Sequence, residues 1–542
     1  MSKIKLLNNQ GDEVTIEHSN TSSKQGNSVV NIKDVTKQVD TIADLKALDG
    51  THKLVYATGY HTAGDGAFGS HFFEWDANST EDDNGGTIIK LDSVDAGRYK
   101  LKYDGSVNVK WFGAVGDGVT DDTEAIQHTI DIFKDVFIPK GIYKITYQLI
   151  INEYNNIRGE GKESYGEYDI ADKTSLTVLK LTGFTTGQYG VSISGRMVHL
   201  RHLSIEGDYT SNGIVIGDLK RELVLDSVSV KYVQTGIYST NAYVASFKDV
   251  TVTAQNVGIE WSGGTTLNFI NVGIQGDPRV GRINVGLKFN GSLANAKMNG
   301  GFIQHMNTAV EISGQNVIQF DSWDFEDLVN DSTGTIFKLG DCHDGSLSID
   351  NCNGVAGTVP EGQSIFRIVG NINHHFPIDI STFYHFVPAI GKLINIDGGS
   401  LLSPFYMLSY YYAKHIPQLG GTVDIQSFIL IKDRNVYDTG SYEYTTLLTS
   451  TPIVLKNADG TDYDYDKGGI VTITVYGTST DNTSCTYAIG RDGYSTYKLT
   501  SLAGNSSAAS NRPFMELDSN NKPCLRTNNS NAYPTKVKVS TI

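Results

Sequence analysis

Cysteine is scarce. Cys342, Cys352, Cys485 and Cys524 are the four in 542 residues, too scattered to frame a disulfide scaffold and with no CxxC pair to hold zinc. We read them as buried apolar side chains. Proline numbers only 11, which argues against a collagen-like or disordered chain. No stretch approaches the ~20 apolar residues that span a bilayer, so no membrane insertion is expected. The opening MSKIKLLNNQGDEV also lacks the apolar core of a secretory signal peptide. Basic residues are outnumbered, 44 against 60, for a net charge of −16. Phosphates would be repelled, and nucleic acid is not an expected partner. None of the 13 histidines falls in an HExxH or comparable spacing, so no metal and no cofactor is expected.

Glycine, by contrast, is in surplus: 57 residues, where average usage predicts about 38. With 29 tyrosines, 21 phenylalanines and 39% hydrophobic residues, the chain reads as globular, turn-rich and all-β.

The middle of the chain repeats. A small residue followed by alternating apolar residues recurs at Gly190-Val191-Ser192-Ile193, Gly213-Ile214-Val215-Ile216, Gly236-Ile237-Tyr238, Gly258-Ile259-Glu260-Trp261, Gly286-Leu287-Lys288-Phe289 and Ala309-Val310-Glu311-Ile312. A second pattern, apolar-x-x-apolar-x-apolar, runs in phase as Leu200/Leu203/Ile205, Leu225/Val228/Val230, Phe247/Val250/Val252, Phe269/Val272/Ile274, Met298/Gly301/Ile303 and Phe320/Trp323/Phe325. Most steps are 22 or 23 residues. Two short strands per step cannot bury a face alone but can stack coil on coil, which predicts a right-handed parallel β-helix. A β-sandwich gives no reason for two patterns to share one step. The long steps of 28 and 29 residues span GDPRVGR, Gly276 to Arg282, so a loop is expected to leave one coil there.

A solenoid needs its open end covered. Thr120 to Phe133 (TDDTEAIQHTIDIF) places Asp121 and Glu124 at capping-box spacing and repeats Ile126, Ile130 and Phe133 on one face, which predicts a capping helix. The glycines just before it, Gly113-x-x-Gly116-x-Gly118, lack dinucleotide-binding spacing, and Asp117, Asp121 and Asp122 would repel a phosphate. They read as a tight turn into the helix.

The segment VNVKWFGAVGDGVTDDT from Val107, followed by VFIPKGIYKIT from Val136, resembles the opening of the pectate-lyase-like β-helix domain of bacteriophage tailspikes and capsule depolymerases. The residues from Val39 to Leu91 are similar to the small head module that precedes it. The resemblance implies a homotrimer carried on the phage tail, directly or through an adaptor protein, that cleaves or grips a bacterial surface polysaccharide. Such a protein is a virion component acting at the outer surface of its host, in keeping with an N-terminus that lacks a signal peptide. The expected organisation is a short virion-attachment segment (1–38), a head module (39–106), the β-helix catalytic domain (107–415) and a C-terminal β-sandwich (416–542) serving trimerisation or carbohydrate binding. Within the last, Asp462, Asp464 and Asp466 read as a solvated acidic loop, since Lys467 and Ile473 depart from a calcium loop.

Endo-glycoside hydrolysis needs two carboxyl groups. If Phe320, Trp323 and Phe325 point inward, Asp321, Asp324 and Glu326 point out, the densest such group in the solenoid. Alternate residues on a strand lie about 6.6 Å apart, inside the window of an inverting mechanism. Glu326 is then the acid and Asp324 the base, with Asp321 as an alternative member. Expected substrate contacts are Arg279 and Arg282, which suit acidic sugars, and His305. Glu260 and Glu311 join them, alternating with Lys288 in a column that also suits a stabilising ladder. Glu206 and Asp208 form a further acidic pair near an early coil's turn. A polysaccharide lyase and a non-catalytic glycan-binding tail fibre remain as alternatives.

Overall fold

The computed structural model describes residues 36–163 and 175–401, apart from breaks at 218–221, 278, 329–333, 356–363, 374, 382 and 386–391; residue 173 and the strands named below are added outside those bounds. The chain divides into two compact units. One holds most residues up to Glu163 together with His199–Ser204, and the other is built chiefly from Ile205 onward.

In the first unit, strands Leu54–Ala57, Phe72–Asp76, Arg98–Lys102 and Ile88–Lys90 pair antiparallel, and Thr36–Val39 adds in parallel at one edge. Helix Ile42–Lys46 is closed by a capping box between Thr41 and Asp44. Ile42, Leu45, Val55, Phe68, Phe73 and Tyr99 form a buried core there, into which Trp111 and Phe112 also pack. Parallel coils follow. Val107 pairs with Val136, Val136 with Ile157 and Ile157 with Leu200, one inward apolar residue per turn.

The capping helix spans Thr123–Ile132 and buries Ile126, Thr129 and Ile130, as its periodicity predicts. Its start differs from the expected capping box. Asp122 occupies the N-cap without a side-chain cap bond. Its carboxylate instead accepts the amides of Val115 and Gly116 at 2.6 and 3.1 Å. Asp121 accepts the Thr123 amide at 3.1 Å. The buried carboxylate thus ties the glycine-rich turn to the helix; burial is the first cause of its raised pKa.

The second unit is itself a right-handed parallel β-helix. Ile214, Ile237, Ile259 and Leu287 are successive partners in one inward column. Leu225, Phe247, Phe269 and Met298 form another, in which the Phe247 and Phe269 rings stack at 5.0 Å. Trp261 and Trp323 are fully buried between such columns.

Two devices hold the coils. At the corner inside each apolar-x-x-apolar motif the chain turns through left-handed backbone, and the residue there is His202, Ser227, Asp249, Asn271, Gly300, Ser322 or Asn351, with φ between 50° and 64°. Short polar side chains tolerate this region, so the corner column needs little of the glycine surplus. Four glycines serve close approach instead. Gly213, Gly236, Gly258 and Gly286 stack coil on coil, and a Cβ on Gly236 would lie 2.3 Å from Val252 and 2.5 Å from the Gly258 carbonyl.

Parallel pairing runs on through Phe405–Met407 to Ile429–Ile431. The next pair, Ile429 with Thr445, is antiparallel, and Ser441–Leu448, Tyr533–Thr541, Gly469–Val475, Thr483–Asp492 and Thr496–Ala503 follow as an antiparallel sheet. Ile453–Val454, Pro523–Arg526 and Phe514–Leu517 make a separate three-stranded sheet. Asp462, Asp464 and Asp466 lie outside the described residues. Cys342 and Cys352 are free and buried.

Candidate functional site

The β-helix pattern decides which carboxylates reach solvent. Phe320, Trp323 and Phe325 are buried within the coil, which sends Asp324 and Glu326 outward from one strand. Asp324 is half-buried and Glu326 exposed. The Asn353 amide, directly opposite Asp324 on the next coil, donates to its carboxylate at 2.7 Å. Asp321 stands apart from this pair, because Ser322 turns the chain between them with φ 58°. It therefore belongs to the adjoining sheet, where Ser322 donates to it at 2.9 Å.

That sheet carries two carboxylates not singled out from the sequence. Asp350 is the partner of Asp321 on the next coil, and Asp379 lies one coil further, opposite Ser348. Desolvation first and the Asp350 charge second push the Asp379 pKa up, although its side chain keeps solvent contact. Asp350 also accepts a hydrogen bond from Ser381. The signal was present in the sequence, for Ile349-Asp350-Asn351-Cys352 repeats the corner Phe320-Asp321-Ser322-Trp323.

Beside Glu326 runs a polar column. Gln304 is the register partner of Gln275, and Lys231, Thr253, Gln275 and Gln304 are all nearly inaccessible to solvent. Gln304 donates to Gln275 at 3.1 Å and Gln275 to Thr253 at 3.0 Å. The 22-residue step continues this column to Glu326, its exposed end. Glu206 begins the column and is buried, whereas Asp208 is exposed, so that acidic pair is split between two environments.

The expected loop leaves at the end of this same strand. Asp277 and Gly281 form an isolated bridge, and Asp277, only 3% exposed, gathers the cluster. Arg279 donates to it from its amide, Nε and Nη2, at 2.8, 2.9 and 2.5 Å. The Tyr209 hydroxyl donates to the same carboxylate. Burial opposes ionisation of Asp277 and is its largest single influence, but these bonds together outweigh it and hold the pKa at about 2. The guanidinium of Arg279 lies over the Tyr232 ring, 5.1 Å from its centroid. Arg282 is half-buried. His305 is half-buried at the following corner, with φ 54°.

Glu260 and Glu311 are engaged in ion pairs. Lys288 meets Glu260 at 3.0 Å, and Lys338 meets Glu311 at 2.9 Å. Asn290 also donates to Glu260, at 2.8 Å. Among the described residues no group of three or more metal-ligating side chains assembles.

Known proteins match both parts of this architecture. Residues 38–104 match the phage tail protein small four-stranded β-sheet domain, and residues 106–352 match the rhamnogalacturonase A/epimerase, pectate lyase-like family. The tail spike protein of Shigella phage Sf6 is 29% identical over 178 residues, an alignment covering 29% of this chain and 27% of that relative. The chain thus spans only about a quarter of that protein's length. Among solved structures, the tailspike protein 2 enzymatically active domain of bacteriophage CBA120 has a TM-score of 0.57 at 14% identity, covering 92% of this chain and 89% of that one. A tailspike of Acinetobacter phage vb_AbaP_AS12 has a TM-score of 0.52 at 12% identity, with coverage of 87% and 93%. These matches give the chain a phage-tail-type small β-sheet domain followed by a pectate-lyase-like parallel β-helix. In both parts the chain resembles the bacteriophage tailspikes.

Proposed function

We propose that this chain is a tailspike depolymerase that cleaves within the chains of a bacterial capsular polysaccharide or exopolysaccharide by glycoside hydrolysis. Glu326 protonates the leaving oxygen, Asp324 activates water, and Asp321 is a further candidate across the corner. The observation that carries this reading is the outward pair Asp324 and Glu326 on one strand, about 6.6 Å apart by strand geometry, at the accessible end of an otherwise buried polar column. Asn353 fixes the orientation of Asp324, as a water-activating carboxylate requires. The rhamnogalacturonase-type family match supports glycan chemistry. Arg279, Arg282 and His305, around the loop and the next corner, are placed to meet the sugars on one side. Glu260 and Glu311 then belong first to the ion-pair ladder, with substrate contact as a further role.

In this reading the protein acts as a homotrimer on the virion, attached to the phage tail directly or through an adaptor, and works at the host's outer surface. The head module joins it to the tail, and the C-terminal strands serve trimerisation or carbohydrate contact.

A second pair, Asp350 and Asp379, is favoured by its place on neighbouring coils of the adjoining sheet and by a raised Asp379 pKa, caused first by desolvation and then by the Asp350 charge, as a general acid requires.

The test is digestion of purified host polysaccharides with the wild type, Asp324→Asn, Glu326→Gln and Asp379→Asn, following new reducing ends. Loss in the first two variants supports the leading pair, and loss in Asp379→Asn alone transfers the chemistry to the second. Products carrying an unsaturated uronate indicate β-elimination and overturn hydrolysis. Adsorption without any cleavage leaves a glycan-binding fibre.

A further inference from the structure

We infer that Tyr209, Tyr232, Asp277 and Arg279 form a preassembled subsite for an uncharged, hydroxyl-bearing sugar of the substrate, an inference that rests on the polysaccharide reading above.

The first observation is electrostatic. Arg279 stands half exposed on a loop, with 51% of its side chain accessible, in the position where an acidic sugar would be expected to dock. Its charge is already matched. Asp277 is 97% buried by the same measure and takes three donors from Arg279. The hydrogen bonds that keep this carboxylate ionised make the Asp277 and Arg279 pair neutral at physiological pH. An incoming carboxylate would gain little from a guanidinium held against a buried anion in a protein of net charge −16. Sugar hydroxyls, which both donate and accept, suit a fixed neutral fork of this kind.

The second observation is conformational. Tyr209 and Tyr232 both hold left-handed backbone, with φ of 65° and 59°, a region that bulky side chains rarely enter. Residues kept there against their preference mark places where strain is retained for a purpose. The two rings meet edge to face at 5.7 Å, and the Tyr209 amide donates to the Tyr232 carbonyl at 2.6 Å. Gln234 secures the corner, donating to the Tyr209 carbonyl and at 2.7 Å to Gln255. The result is an amphipathic aromatic surface beside oriented polar groups, the combination that accepts a sugar's apolar face and its hydroxyl rim.

Placement ties the cluster to the carboxylates. The loop follows Gln275, and Gln304 and Glu326 occupy the same column on the next two coils. At about 4.8 Å per coil the loop departs roughly 10 Å from Glu326 along the axis. One glycan chain can therefore meet both. Asp277 is a positioning residue in this scheme, acting through Arg279.

The test uses the full chain and the polysaccharide it is found to degrade, in native and carboxyl-reduced form, at low and high salt. Arg279→Ala should raise KM at least tenfold on both polymers and at both salt concentrations, with most of the loss outside kcat, and the Asp277 carboxylate it leaves unmatched should add a further, salt-sensitive loss on the acidic polymer alone. Asp277→Asn, which leaves the guanidinium unmatched, should make KM salt-sensitive on an acidic polymer. Tyr209→Phe separates the hydroxyl's role from the ring's and should raise KM less than Arg279→Ala. An unchanged KM in Arg279→Ala overturns the subsite while leaving the depolymerase intact. A defect confined to the native acidic polymer, or abolished by salt, overturns its neutral character. A wild type that degrades no polysaccharide overturns the parent reading, and this one with it.

Discussion

Asn353 donates to the carboxylate of Asp324 across adjacent coils at 2.7 Å. This bond links the candidate chemistry to the solenoid's register, because only an unbroken coil-to-coil alignment sets the two residues opposite each other. Replacing Asn353 by Ala removes the donor without touching either carboxylate. A misplacement of about 1 Å in a reacting group can cost up to about 100-fold, so kcat is expected to fall 10- to 100-fold with little change in Tm. An unaltered kcat would remove Asp324 from the reaction.

Two glycines should behave oppositely. Gly236→Ala drives a methyl into Val252 and the Gly258 carbonyl, and overpacking of this kind costs about 1–3 kcal/mol. Gly300 has open space around it and sits in the corner column at φ 64°, where neighbouring coils carry Asn or Ser. Gly300→Asn should therefore stay within about 1 kcal/mol of the wild type. Denaturant unfolding of both variants is the measurement, and equal losses would contradict the division of labour among the glycines.

The depressed Asp277 pKa makes a pH-dependent contribution to stability. The carboxylate is more acidic folded than unfolded, so its contribution is complete above the ordinary value near 3.8 and is lost as pH falls toward about 2. At pH 7, Asp277→Asn should cost roughly 2–3 kcal/mol, and the gap from wild type should close through that window. A gap independent of pH would mean that the carboxylate's charge is not what matters.

Asp379 has the opposite sign. Its folded pKa is raised, so the folded state binds the proton more tightly and stability declines as pH climbs through the window above 3.8. Asp379→Asn is expected to raise Tm at pH 7 and to leave it unchanged near pH 3. A Tm loss at neutral pH would show that the charged form is held by favourable contacts.

Much of this was readable in the sequence because a solenoid is a local code. Leu200, Phe247 and Trp323 announce their burial by period alone, and the long step across GDPRVGR locates the loop. The outward direction of Asp324 and Glu326 follows from the same arithmetic. What escaped is what the period does not carry. Backbone handedness at Ser322, which separates Asp321 from Asp324, is a property of three dimensions. So is the reach of Tyr209, 68 residues away in the chain, to Asp277. The Asp121 and Glu124 spacing fits a capping box, yet Asp122 takes the cap because its carboxylate has two amides of the preceding turn to satisfy.

The amide ladder beside the loop has a consequence for how such a protein can change. Asn284 donates to Asn256 at 3.3 Å and Gln304 still reaches Gln275 across the long step at this loop, and Asn307 donates to Asn284 at 3.0 Å on the coil that follows. Extra residues entered the chain and the alignment of the coils did not shift. That corner works as an open port in the register, and the longer steps from Thr308 to Thr335 and from Asp324 to Asn353 show that later coils also admit extra residues without losing their pairing. Loops of different length and chemistry can be exchanged there while the coils continue to stack, so recognition can diversify without the fold being renegotiated.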